Sequence, residues 1–267
     1  MKTKVSQTKR YVILDFNCHL HACYHIVQTG LNSARAKGLK LENYIKSVVA
    51  LRLNTPIDFM NIDAEMLICD DTKVDGKYWR HDIVPHYKGQ RKEKDQLFKD
   101  IRRIALEYVE QYKLAYYAEP LLEADDLIAY WCKRLGADKS NQVFISSVDG
   151  DLQQLVTSNV FFAWTYSNSS TRLFNTSLVQ DYIFKKFKVR IDCPTEIAAL
   201  KALKGDSSDN LKRNSPIEVI DLNECHFGEY VAPLALELKT YVANVEHIEK
   251  AKEYARKFAL PMPATAA

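Results

Sequence analysis

The chain has 267 residues, 47% of them hydrophobic, and its 37 Lys+Arg against 34 Asp+Glu leave a formal net charge of only +3. That is enough for one large domain or a domain with a small appendage, and the near-balance of charge means any polyanion-binding surface must be local. Six cysteines without a C-x-x-C pair argue against a disulfide framework or a cysteine zinc site; with no signal-peptide core in MKTKVSQTKR and no apolar run near the ~20 residues of a bilayer span, a cytoplasmic protein without a membrane role is expected.

In chain order, YVILDF (11–16) is a short apolar, β-branched run that predicts a buried strand, and EMLICD (65–70) repeats the pattern. Leu97, Ile101, Ile104, Tyr108 and Tyr112 recur at spacings of three and four, which predicts a helix. LAYYAEP (114–120) is a further strand candidate. Ala124, Leu127, Ile128, Trp131 and Leu135 predict a second helix, followed by strands in QVFISSVD (142–149) and NVFFAW (159–164). A helix is also expected over about 246–258, packed on the domain. Strand alternating with helix implies an α/β fold: a parallel sheet covered by helices on both faces.

Three strand candidates run into an aspartate: Asp15, Asp70 and Asp149. Open parallel sheets bind ligands beyond the carboxyl ends of their strands, so these three are expected to converge on one edge. LLEADD adds Glu123, Asp125 and Asp126 at the start of the second helix. Acids in a first helical turn are ordinary, favoured by ~0.3–1 kcal/mol, which accounts for one or two of them. At 100° per residue Glu123 and Asp125 flank the apolar stripe, while Asp126 points largely away from it. DGD adds Asp151, and LKGDSSDN adds Asp206 and Asp209 at an i, i+3 spacing; each motif alone is also a common turn or loop. Nine carboxylates sharing one interior site cannot stay ionised without cations. All-oxygen ligands in that number suit two Mg²⁺ ions, with Mn²⁺ able to substitute, and a metal pair is the usual device for in-line attack on a phosphodiester. Asp126 is expected to act through water or on the second ion.

Between the acids lies KYWRHDIVPHYKGQRKEKDQLFKDIRR (77–103), with nine Lys/Arg against four Asp/Glu, a local excess of +5. Tyr78, Trp79 and Tyr87 are interleaved with Arg80, Lys88, Arg91 and Lys92. Bases beside aromatic rings suit single-stranded nucleic acid, the charge following phosphates and the rings stacking on bases. A lysine or arginine there could hold a scissile phosphate against the metals. The part from Lys92 to Arg103, read alone, is an amphipathic helix with a solvated face.

The ordered set VILDF, LICDD…YWR…P-x-YKG-x-R, EADD, S-x-DGD-x-x-QL and KGDSSDN resembles the 5′-nuclease superfamily of flap endonucleases and 5′-3′ exonucleases, and DDTK…YWRHD is most similar to its phage ribonuclease H type. The match covers roughly residues 11–210. The resemblance implies a PIN-like α/β fold, two Mg²⁺ ions, and hydrolysis of DNA or RNA·DNA from a 5′ end or at a flap, as in primer removal during phage replication in a bacterial cytoplasm. It implies that Asp15, Asp70, Glu123 and Asp125 surround one metal, and Asp126, Asp149, Asp151, Asp206 and Asp209 the other. Lys88 and Arg91 then act on the phosphate at the base of a short helical arch, about 80–103, within a catalytic domain over 1–210.

After KGDSSDN the family's glycine-rich helix–hairpin–helix is expected, yet Gly228 is the only glycine beyond Gly205. A duplex grip and K⁺ site built on glycine turns are therefore expected to be reduced or absent in a helical region over 211–267. Lys204, Lys212 and Arg213 are the expected electrostatic substitutes, and a single-strand DNA-binding protein or clamp the expected partner. Two alternatives stay open. GDSSDN and VILDF also resemble HAD-like phosphohydrolases, although Asn17 stands where a second aspartate is needed. A non-catalytic nucleic-acid-binding protein on a nuclease fold is the other.

Overall fold

The computed structural model describes residues 8–204, apart from 61–62, 83–84, 86 and 166–169. The expected C-terminal region, with Asp206, Asp209, Lys212 and Arg213, lies outside the described residues, as does the side chain of Lys204. Among the described residues six strands form one sheet: β1 (Arg10–Asp15), β2 (Glu65–Cys69), β3 (Ala115–Tyr117), β4 (Gln142–Ser147), β5 (Val160–Thr165) and β6 (Thr171–Phe174). Their spatial order is β3-β2-β1-β4-β5-β6. The first five are parallel, as expected, with Ile13 of β1 opposite Leu67 on one side and Ile145 on the other. β6 is antiparallel to β5 and was not legible: only Thr171 and Phe174 of TRLF are buried, too few to stand out as an apolar run.

Successive strand side chains point to opposite faces, and the two faces fill separate cores. Ile13, Val143, Ile145 and Phe162 pack with Leu127 and Ile128 of α4 (Ala124–Gly136) and Val179 and Ile183 of α5 (Thr176–Phe187). Leu14, Met66 and Ile68 pack on the other face with α1 (Phe16–Ala36), α2 (Leu41–Met60) and α3 (Gln96–Gln111). This double coverage explains why the strands read as continuous apolar runs rather than as alternation. α6 (Glu196–Lys204) lies against the turn that follows β4.

The expected arch takes another form. Residues 79–82 make a 3₁₀ turn, and the described residues between it and α3 carry turns and irregular backbone only. From Gln96 onward the segment belongs to the core, because Phe98, Ile101, Ile104 and Ala105 bury the inner face of α3 against α1 and α2. Asp95 starts that helix by accepting from Phe98 N at 2.9 Å.

Candidate active site

The chain lays down β1, β2 and β3 in one direction and then returns to place β4 on the other side of β1. The reversal leaves a crevice at the carboxyl ends of β1 and β4, the usual ligand position in an open parallel sheet. Asp15 ends β1 there. Its Oδ1 accepts from Cys18 N at 3.1 Å, which starts α1, and its Oδ2 accepts from Ser147 Oγ of β4 at 2.8 Å. Asp149 N donates in turn to Ser147 Oγ at 3.0 Å, and Asp149 Oδ1 accepts from Asp151 N at 2.9 Å.

A cleft of about 1070 Å³ opens over this edge. Asp15, Asp71, Asp125 and Asp149 form its acidic wall; Lys73, Lys88, Arg91, Lys92, Lys94 and Arg102 line it too, with Glu93 among them. Burial pushes the Asp15 carboxyl up from its ordinary 3.8 to about 7, and the charges of Asp71 and Asp149 add to the rise against the hydrogen bonds from Cys18 and Ser147. Asp125 is also held well above the carboxylate range, by burial first and then by Asp149, Asp15 and Glu123. These wall acids form no ion pair among the described residues; Arg80 offsets part of the repulsion at Asp125, but burial and the neighbouring acids outweigh it. A hard divalent cation fits this donor chemistry. Among the described residues no set of three such side chains encloses an ion as the protein stands.

Behind the wall sits a second set of acids, each held by a base. Asp70 is fully buried: both its oxygens accept from Arg102 of α3, and Tyr116 of β3 donates to it as well. Asp70 therefore does not line the cleft, contrary to expectation; its neighbour Asp71 does. Both residues lie just past the end of β2, where Arg102 and Tyr116 hold Asp70 inward while the Ala124 amide and Tyr78 hold Asp71 at the cleft. Asp71 Oδ1 accepts from Ala124 N at 2.7 Å, and Tyr78 Oη donates to its Oδ2 at 3.2 Å.

LLEADD sorts its three acids in a similar way. Asp125 faces the cleft. Glu123 is buried, receiving Arg80 Nη1 at 2.5 Å on one oxygen and Lys88 Nζ on the other. Asp126 does not point away, as the helical wheel implies; it reaches back to accept from Glu123 N at 3.0 Å and is clamped by Arg80 and by Trp79 Nε1 at 3.0 Å. The ordinary first-turn role of helical acids thus accounts for Asp126. Asp151 pairs with Lys201 of α6 and stands outside the cleft wall.

The aromatic platforms are corrected too. Tyr78, Trp79 and Tyr87 are all buried, and their polar atoms serve Asp71, Asp126 and Glu123. Arg80 is a clamp between Glu123 and Asp126 rather than an open phosphate contact. Lys88, Arg91 and Lys92 do line the cleft. Lys88 has φ +52, a left-handed backbone rare outside glycine, which directs its side chain over the Tyr87 ring at 5.1 Å towards Glu123. On the far wall Lys94 Nζ lies 2.8 Å from Nε2 of His21. Burial and the charges of Lys94 and its neighbours bring His21 down to about 4, so it is neutral at physiological pH.

Two residues escaped the sequence reading. Asp71 had a signal, as the second acid of LICDD. Arg102 had only its place in a basic run.

Residues 10–187 match the domain described as 5′-3′ exonuclease, N-terminal resolvase-like. A 5′-3′ exonuclease of Mycoplasmopsis pulmonis is 29% identical over 209 residues, covering 78% of this chain and 62% of its own. The chain thus spans less than two thirds of that relative's length. Among solved structures, a flap endonuclease of bacteriophage T5 in a pseudo-enzyme–product complex with DNA and metal ions superposes with a TM-score of 0.57, at 19% identity, over 90% of this chain and 78% of that one. The T5 5′-exonuclease with divalent zinc ions bound gives 0.54 at 18% identity, over 91% and 79%. At these identities the likeness is one of fold.

Proposed function

This chain belongs to the 5′-3′ exonuclease family, and from that premise we propose that it is a Mg²⁺-dependent 5′-nuclease hydrolysing phosphodiester bonds of DNA and RNA·DNA at 5′ ends and flaps. The observation that carries the reading is the cleft at the β1/β4 crevice, where four aspartates without an ion pair among the described residues share the lining with lysines and arginines. A phosphodiester strand needs both: bases to hold its phosphates, and acids to hold the cations that act on one of them.

Asp15, Asp71, Asp125 and Asp149 are the residues that would hold the ions, with Asp206 and Asp209 of KGDSSDN as further candidates. When bound, divalent ions supply Lewis-acid polarisation of phosphoryl oxygens and ease deprotonation of an attacking water. The chain's own residues do the rest. Glu123 fixes the Lys88 ammonium at the cleft, where it holds a non-bridging phosphate oxygen. Arg91 and Lys92, both exposed on the cleft rim, attract the flanking phosphates. Tyr78 keeps Asp71 oriented, and Ser147 keeps Asp15 oriented, before substrate arrives.

The finer reading is primer-RNA removal during phage replication, supported by the DDTK…YWRHD resemblance. Lys204, Lys212 and Arg213 then grip duplex electrostatically, and a single-strand DNA-binding protein or clamp supplies the affinity that a glycine-rich hairpin would otherwise give.

A 5′-labelled flap and an RNA-primed duplex, incubated with Mg²⁺ and with EDTA, test this. Cleavage near the junction with Mg²⁺ only is the expected result. Cleavage that is indifferent to EDTA, or absent from both substrates, overturns it.

A further inference from the structure

We propose that Arg102 is a phosphate-contacting residue of the cleft, presented there by Asp70. The proposal rests on the nuclease reading above and assigns a new residue to that site. Arg102 stands on α3, between buried Ile101 and Ile104, yet its own side chain keeps a third of its surface exposed and lines the cleft.

Its guanidinium is held on three sides. Asp70 takes one hydrogen from each terminal nitrogen, Asn17 Oδ1 takes another from Nη1 at 3.4 Å, and the ring of Phe16 lies 5.7 Å from Cζ. A guanidinium has five N–H donors. Asp70 and Asn17 engage three among the described residues, and Tyr116 stands against the group as well; the exposed third of the side chain is the part that a ligand can reach. A planar fork already fixed by a carboxylate loses little freedom when it takes up a second anion.

Asp70 supports the same assignment. A fully buried carboxylate paired with an arginine contributes little net stability, because desolvation offsets the attraction. What the pair does achieve is orientation. Lys88 is arranged alike: a cation at the cleft, backed by a buried carboxylate, Glu123, that does not itself reach the wall. The buried acids thus serve the bases, and the wall acids serve the cations. Lys88 comes from the segment after the 3₁₀ turn and Arg102 from α3, so a strand entering the cleft meets a base from each.

The test compares wild type with Arg102→Gln, which still hydrogen-bonds Asp70 but carries no charge. Single-turnover cleavage is measured on a flap substrate, and on versions in which one phosphate at a time, at and beside the cleavage position, is a neutral methylphosphonate. On the all-phosphate substrate the variant is expected to be slower by roughly 10–100-fold, the range for a hydrogen bond to a charged group. At one substituted linkage that gap is expected to close to within about twofold, because the partner charge is already gone.

Arg102→Lys keeps the charge and is expected to recover part of the rate. An equal gap at every linkage would mean that Arg102 only supports the fold, and no gap at all would mean that it does nothing; either overturns the proposal. Failure of the wild type to cleave any substrate would overturn the nuclease reading instead.

Discussion

On the proposed function, Asp15 would link cation binding to pH in a way that can be measured without substrate. In the folded chain its carboxyl titrates at about 7, against 3.8 for the ordinary group. Between those values the folded state holds a proton that the unfolded state has released, so stability falls as pH rises through this window. At ~1.36 kcal/mol per pH unit the full difference is ~4 kcal/mol, absent below pH 4 and fully present above pH 7. A divalent cation on the acidic wall relieves it by making the charged form the favoured one. For a domain of this size ~1 kcal/mol moves Tm by about 2–4 °C. Saturating Mg²⁺ is therefore expected to raise Tm by on the order of 10 °C at pH 8 and hardly at all at pH 5, where protons compete for the same oxygens. Differential scanning calorimetry across both pH values reads this directly. Asp15→Asn is expected to be more stable than wild type at pH 8 without metal, and to lose most of the Mg²⁺ response. Equal Mg²⁺ shifts at both pH values, or an unchanged response in Asp15→Asn, would refute the assignment of the wall acids to a cation.

Other consequences follow from the division between wall acids and buried acids. Asp71→Asn is expected to slow cleavage by ~100-fold or more with little change in urea midpoint, whereas Asp126→Asn should unfold earlier by ~2–3 kcal/mol, since it weakens a buried clamp without emptying it. Arg80→Leu leaves Glu123 and Asp126 buried beside each other without their shared base; a loss of ~3–5 kcal/mol in urea denaturation is expected. His19 is buried, and burial followed by the charge of Arg52 takes it down to about 3. Its contribution is intact above the unfolded value of about 6.5 and is lost as pH falls towards 3, at a slope approaching ~1.4 kcal/mol per unit; His19→Gln is expected to flatten the acid limb of stability between pH 6 and 4.

The strands were legible because both sheet faces are covered, so β1, β2, β4 and β5 carry the long apolar runs that burial demands. The helical stripes of α3 and α4 were legible from spacing alone. What could not be read was which acid of a pair turns outward. Asp70 and Asp71 are adjacent, just past the end of β2, and only partners distant in the chain, an arginine 32 positions further on for the one and the Ala124 amide for the other, send one into the core and the other to the cleft. The same holds for Trp79, which looks like an exposed platform until its ring nitrogen is found on Asp126, 47 residues away. Its sequence surroundings include Lys77 and Arg80, and its spatial neighbours include the first turn of α4. Local composition reports the former and function depends on the latter.

Three of the four wall acids share one further property. Asp15 receives the amide of Cys18 at the start of α1, Asp149 that of Asp151 in the turn after β4, and Asp71 that of Ala124 at the start of α4. Such amides favour a nearby negative charge by ~0.3–1 kcal/mol each, an order below the several kcal/mol that burying an ion costs. They orient the carboxylates without neutralising them. Asp71 does so from just past the end of β2 across to the start of α4, so the link that aims it also ties the segment carrying Asp70 to the helix start capped by Glu123. The fold thus pairs Arg80, Lys88 and Arg102 with the acids behind the wall, and leaves the acids in front crowded and without a direct ion pair among the described residues. That arrangement is the feature on which the proposed cation binding rests, and it is what sets the wall apart from a self-contained ion-pair network.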